Sequence, residues 1–166
     1  MKHFGSGLMV LALASCIHAP RVPAAAGGEL IVVELQPGFM GTTSYTLEVA
    51  SDGNALLTWS TEGFKTGTNP DRRSFKISAD TYKSFSQKFA PFRPQADKIV
   101  SYDHPDCGAY FPDDPQQRIT WKGHGTAVYL LYDLGCDASL NHALVKALAE
   151  EPKGIVPNYL KKLPIW

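Results

Sequence analysis

The side chains of this chain that could do chemistry gather in segment 101–115, SYDHPDCGAYFPDDP, where Asp103, His104, Asp106, Asp113 and Asp114 stand around Cys107. Carboxylates beside a histidine can hold a divalent cation, serve a hydrolase as a His–Asp pair, or present a polar recognition surface. The first use needs a regular spacing of oxygen donors. Asp103 and Asp106 do not follow the calcium-hand spacing, and the glycine and terminal glutamate of that loop are missing, so no metal site is assigned. The second use would rest on His104 with Asp103 or Asp106. No GxSxG elbow, HExxH, phosphate loop or GxGxxG accompanies them, and His3 and His18 lie near the start of the chain, away from any such site. No catalytic residue and no cofactor are therefore assigned, and a recognition surface is the preferred use of Asp103, His104, Asp106, Asp113 and Asp114. The alternative is a solvated loop held down by a crosslink.

Three cysteines bear on where such a surface would work. Cys16 follows Leu13-Ala14-Ser15, after Lys2 and an apolar run over 8–14 that is too short to span a bilayer. That order resembles the lipobox of bacterial lipoproteins, in which the cysteine becomes the lipidated first residue. Acyl chains contribute about 0.8 kcal/mol per buried methylene, so two or three on one cysteine make a lasting anchor. Ile17 stands where lipoproteins kept at the inner membrane often carry Asp, which favours the outer membrane, facing the periplasm. Cleavage near Ala19 or within 24–26, yielding a soluble periplasmic or secreted protein, is the alternative. Cys107 and Cys136 remain, and in an oxidising compartment the simplest use of two cysteines is one disulfide, worth on the order of 3 to 4 kcal/mol for a loop of this length. Two buried thiols are the other reading. A shared metal is disfavoured because neither cysteine has a CxxC or CxxH neighbour.

The organisation that follows is a signal peptide over 1–15, a lipid anchor and flexible Pro/Gly tether over 16–28, and one globular domain over 29–166. With Lys2 gone, fifteen basic residues face sixteen acidic ones, a formal charge of −1. Such a balance leaves no electrostatic footprint for nucleic acid.

The elements that must position the acidic segment begin with a run over 29–35, apolar at Leu30-Ile31-Val32-Val33, which reads as a strand covered on both faces. Tyr45, Leu47 and Val49 alternate with polar residues, and Asp52-Gly53-Asn54 turns the chain back. A three-residue loop over these, with Asn54 left-handed, opposes Val49 to Leu57 and Leu47 to Trp59 and keeps one face apolar. A short strand over 74–77 leads to Ser78, a helix N-cap, and Tyr82, Phe85 and Phe89 form a core stripe before Pro91. After the acidic segment comes a hairpin of 118–122 with 126–134 around Gly123-His124-Gly125, with His124 exposed at its tip. The second arm is apolar on both faces and reads as a central strand. Asp137 then caps a helix over 138–151 with Leu140, Leu144 and Leu148 buried and His142 solvated, stopped by Pro152. The tail 155–166 either wraps the domain or stays loose. The fold class is α+β, an antiparallel sheet packed against two helices.

The run Tyr45-Thr46-Leu47-Glu48-Val49 into Asp52-Gly53, the helix from Ser78 to Phe89 and the later hairpin and helix resemble a family of small exported bacterial domains, many of them lipoproteins, whose function is unassigned. The resemblance covers 45–151. This chain departs from it at Thr43-Ser44, where members often carry Cys-Pro. It implies a fold and a location and brings no catalytic residues. The expected function is a noncatalytic envelope lipoprotein that meets the membrane through its anchor and binds an envelope protein or glycan through loops including 101–115. An inhibitor of an envelope hydrolase is the narrower alternative.

Cys16→Ala should release the protein from the membrane fraction or stall its processing. Unchanged membrane association, with an unmodified N-terminus beginning after Ala19, would overturn the anchor.

Overall fold

The computed structural model describes residues 28–38, 43–61 and 70–166. The signal, Cys16 and the tether up to residue 27 lie outside the described residues. Seven strands form one sheet: β1 (Leu30–Gln36), β2 (Ser44–Ala50), β3 (Asn54–Ser60), β4 (Asp71–Lys76), β5 (Lys98–Val100), β6 (Gln116–Gly123) and β7 (Thr126–Asp133). Their spatial order is β4-β3-β2-β1-β6-β7-β5. Two helices, α1 (Ala79–Phe89) and α2 (His142–Ile155), complete the α+β architecture. The sheet is mixed rather than antiparallel, because β5 runs parallel to β7 at one edge. Lys98-Ile99-Val100 is too short to show an alternation, so nothing in its pattern announces a strand.

Periodicity explains which face meets the helices. Ile31, Val33, Leu47, Val49, Leu57, Ile119 and Tyr132 are buried with Phe85 and Phe89 of α1 and Leu144 and Leu148 of α2 in one core. On the other face of β1, Leu30 and Val32 form a small cluster with Ala50, so the unbroken apolar run is covered on both sides as expected. Lys88 of α1 reaches Glu151 of α2 at 3.7 Å. The α1 N-terminus forms as the sequence predicts, with the Ser78 hydroxyl accepting from Thr81 N at 3.1 Å, and a 3-10 turn over Ala90–Phe92 follows at Pro91.

The first hairpin has the expected loop length at a different place. Leu47 faces Leu57, Tyr45 faces Trp59 and Val49 faces Ala55, two residues away from the predicted pairs. The loop is Ser51-Asp52-Gly53, and the left-handed residue is Gly53, with φ 81°, not Asn54. Asn54 instead donates its N–H to Asp52 Oδ1 at 2.9 Å and its amide to Oδ2 at 2.6 Å. Glycine adopts positive φ without a Cβ penalty, which decides between two adjacent candidates. A shift of two preserves the side-chain alternation, so Leu47, Val49, Leu57 and Trp59 still share the buried face.

Further departures lie later in the chain. The second hairpin turns on two residues, His124 and Gly125, both at positive φ, with Gly123 already paired to Thr126. His124 is exposed. Asp137 does not cap α2: its carboxylate accepts from Ser139 N at 2.8 Å in a separate turn, and the helix starts at His142. Leu140 is left exposed in that turn instead of joining Leu144 and Leu148. Pro152 lies within α2 rather than ending it. Its ring is fully buried, and apolar burial offsets the N–H that proline lacks. The stretch beyond α2 wraps the core, burying Val156, Leu160 and Ile165. Trp166 packs on Tyr45 with ring centroids 5.1 Å apart, and its indole N–H donates to the Leu160 carbonyl.

A Cβ at Gly53 would stand 2.5 Å from the Ile77 carbonyl oxygen. Gly53→Ala should therefore cost about 1 to 3 kcal/mol in denaturant unfolding. An unchanged midpoint would mean that the turn does not depend on this residue.

Candidate functional site

The acidic segment connects β5 to β6, and it is held by the stretch that connects β7 to α2. Cys107 and Cys136 are disulfide-bonded with their Cα atoms 4.7 Å apart, and both are buried. Backbone bonds extend the junction. Phe111 N–H donates to the Gly135 carbonyl at 2.7 Å, and Asp137 N–H is shared between the carbonyls of Cys107 and Ala109, each at 2.9 Å. The two backbones approach so closely that a Cβ on Gly135 would overlap the Phe111 carbonyl. Asn141 uses its side-chain amide to bind the Asp106 carbonyl at 2.8 Å. Asn141 makes no side-chain cap for α2 although it occupies the capping position.

A buried carboxylate completes the anchorage. Asp133, at the end of β7, accepts from Gly135 N at 3.0 Å, Gln116 Nε2 at 3.2 Å and the Tyr110 hydroxyl at 3.3 Å. These donors satisfy a group that would otherwise be costly to bury. They also join the start of β6, the end of β7 and the acidic segment at one point.

The five predicted residues divide into two places. Asp103 accepts from the Ser101 hydroxyl at 3.0 Å. His104 accepts the Asp106 backbone N–H on Nδ1 at 3.0 Å, and the Asp106 carboxylate binds Lys98 Nζ at 2.7 Å. The lysine's hydrogen bond and charge hold Asp106 below the usual carboxylate range. Asp113, at φ 77°, and Asp114 lie farther along, where their charges together with Asp133 act on Tyr110. Desolvation is the first cause that raises the Tyr110 hydroxyl pKa, and these three carboxylates add to it.

This arrangement has chemical consequences. A histidine paired to a catalytic carboxylate donates its ring N–H to that carboxylate. Here Nδ1 is an acceptor, and the nearest Asp106 oxygen is 3.8 Å away and already bound to lysine. Among the described residues, no group of three His, Cys, Asp or Glu side chains is placed to hold a metal ion.

The sequence reading missed the aromatic part of the surface. Tyr102 is 70% exposed, Phe111 66% and Leu140 59%. The Tyr102 and Tyr110 rings lie 6.0 Å apart, inclined by 52°, and Leu140 Cδ1 sits over Gly108. Tyr110-Phe111-Pro112 offered the signal: aromatics beside a proline, in a segment with neither helical nor strand period, have no core stripe to join. No protein-family model matches the chain, and no curated protein matches it either.

Because the disulfide joins the segment to a fixed point, reduction should free the segment before the domain unfolds. Hydrogen exchange of the reduced protein should rise first over 101–111, with the β1–β6 ladder still protected. Simultaneous loss of both would show that the bond supports the whole fold.

Proposed function

We propose that this protein is a noncatalytic cell-envelope lipoprotein, anchored through Cys16, whose 101–115 face binds a partner protein or glycan. The observation that carries the reading is the exposure of Tyr102 and Phe111 on a backbone fixed by a disulfide, a buried carboxylate and several main-chain hydrogen bonds. Aromatic rings held in solvent are available contact area, and aromatics are enriched at binding surfaces. A segment already ordered before encounter loses less conformational entropy on binding than a loose one. Preorganisation thus converts a strand connection into a recognition surface.

Other observations support the noncatalytic part. His104 has its Nδ1 committed to a backbone N–H, and Asp106 is committed to Lys98. The lipobox-like Leu13-Ala14-Ser15-Cys16 and the resemblance over 45–151 to small exported domains support the envelope location. A disulfide among so few cysteines agrees with an oxidising compartment.

A photo-crosslinking amino acid placed at Tyr102 or Phe111 in producing cells should yield a discrete adduct that the same probe at Lys83, exposed on α1, does not. Absence of adducts at 102 and 111, or the same adducts from position 83, would overturn the binding face.

A further inference from the structure

We infer that the partner of this face is a cationic protein segment, arginine-bearing, whose guanidinium groups stack on Tyr102 and Tyr110 beside the carboxylates of Asp113 and Asp114. The inference rests on the reading of 101–115 as a binding face and adds the chemistry of what it binds.

Charge is the first argument. Segment 101–115 contains four aspartates and neither lysine nor arginine. Among the described residues only Asp106 of the four has an ion-pair partner. Asp103, Asp113 and Asp114 are exposed, and the buried Asp133 carboxylate accepts from the Tyr110 hydroxyl at 3.3 Å. A ring flanked by carboxylates attracts cations through both its quadrupole and its neighbours.

Shape is the second. Tyr102 is mostly in solvent, and its ring is inclined to that of Tyr110 rather than stacked flat on it. A planar guanidinium stacks on an aromatic face and hydrogen-bonds a carboxylate in its own plane, which an ammonium cannot do. The fold already uses this combination elsewhere. On the other side of the sheet the Arg118 guanidinium lies 5.2 Å from the Tyr129 ring centroid with the Glu34 carboxylate at 3.8 Å. Among the described residues no cation lies over the Tyr102 or Tyr110 ring, so a cation stacked there would come from a partner.

The test is a fluorescence-anisotropy titration of the full chain with labelled octa-arginine at low salt, against octa-lysine, octa-glutamate and an N-acetylglucosamine tetramer. Octa-arginine should bind saturably, about three- to tenfold more tightly than octa-lysine. Tyr102→Ala should weaken it about threefold or more, and Asp113→Asn with Asp114→Asn about tenfold, with the effect shrinking as salt rises. Glu150→Gln, on the exposed side of α2, should change nothing. Equal binding of arginine and lysine peptides with no effect of Tyr102→Ala would overturn the inference in favour of nonspecific charge attraction. Tighter binding of the sugar would assign a glycan instead. Self-association abolished by Arg72→Glu, on the opposite sheet edge, would assign a second copy. In each of these cases persisting crosslinks from position 102 keep the binding face itself. No titration and no crosslink would remove both.

Discussion

The bond between Cys107 and Cys136 does what packing cannot do at that end of the sheet. The segment it captures contains three prolines and four aspartates, and its aromatics Tyr102 and Phe111 stay in solvent rather than docking in the core. A strand connection of that composition would ordinarily be solvated and variable in shape. Tied to the end of β7, it brings Phe111 into bonding range of Gly135, Asp106 into range of Asn141 and Tyr110 into range of Asp133. Each of these contacts is modest alone. Together they turn a covalent tether at one residue into a fixed surface several residues wide.

The same junction explains the start of α2. Asp137 has a good capping side chain, and its position before an apolar period makes a helix at 138 the natural reading. Its backbone N–H, however, belongs to the carbonyls of Cys107 and Ala109, and its carboxylate to a local turn. The helix can begin only after these obligations are met, at His142. Leu140 is thereby left outside the core, with its Cδ1 over Gly108 of the acidic segment.

Legibility in the sequence followed the range of the forces involved. The core stripe of α1 and the alternation in β2 and β3 depend on side-chain period, which a sequence displays directly. β7 reads as a central strand from its apolar run, but it lies next to the sheet edge, with only the three-residue β5 beyond it. The hairpin faces were legible and the partners were not, because Gly53 and Asn54 are both acceptable left-handed residues, and the bonds from Ser51 N to the Glu29 carbonyl and from Ile77 N to the Gly53 carbonyl that tie the turn to neighbouring segments are tertiary. β5 was invisible at three residues. Pro152 was misread because local backbone chemistry says stop, whereas burial of its ring is a tertiary effect. At the candidate site, the disulfide was legible from residue type, whereas the contacts of Leu140 with Gly108 and of Asp133 with Tyr110 join residues distant in sequence.

The order of strands carries one more consequence, in time rather than in space. β1 is the first strand of the described chain and lies in the middle of the sheet, paired on one side to β2 and on the other to β6. Its second ladder must wait until residues 116–123 have emerged, and the cover over Tyr45 waits for Trp166. Until then Leu30-Ile31-Val32-Val33 has an open hydrogen-bonding edge and an apolar face in water. Non-local pairing of this kind slows closure of the fold and exposes an adhesive edge while it lasts. A newly made chain is therefore kept from premature completion by its own topology, since its central strand is the first to be made and among the last to be fully paired.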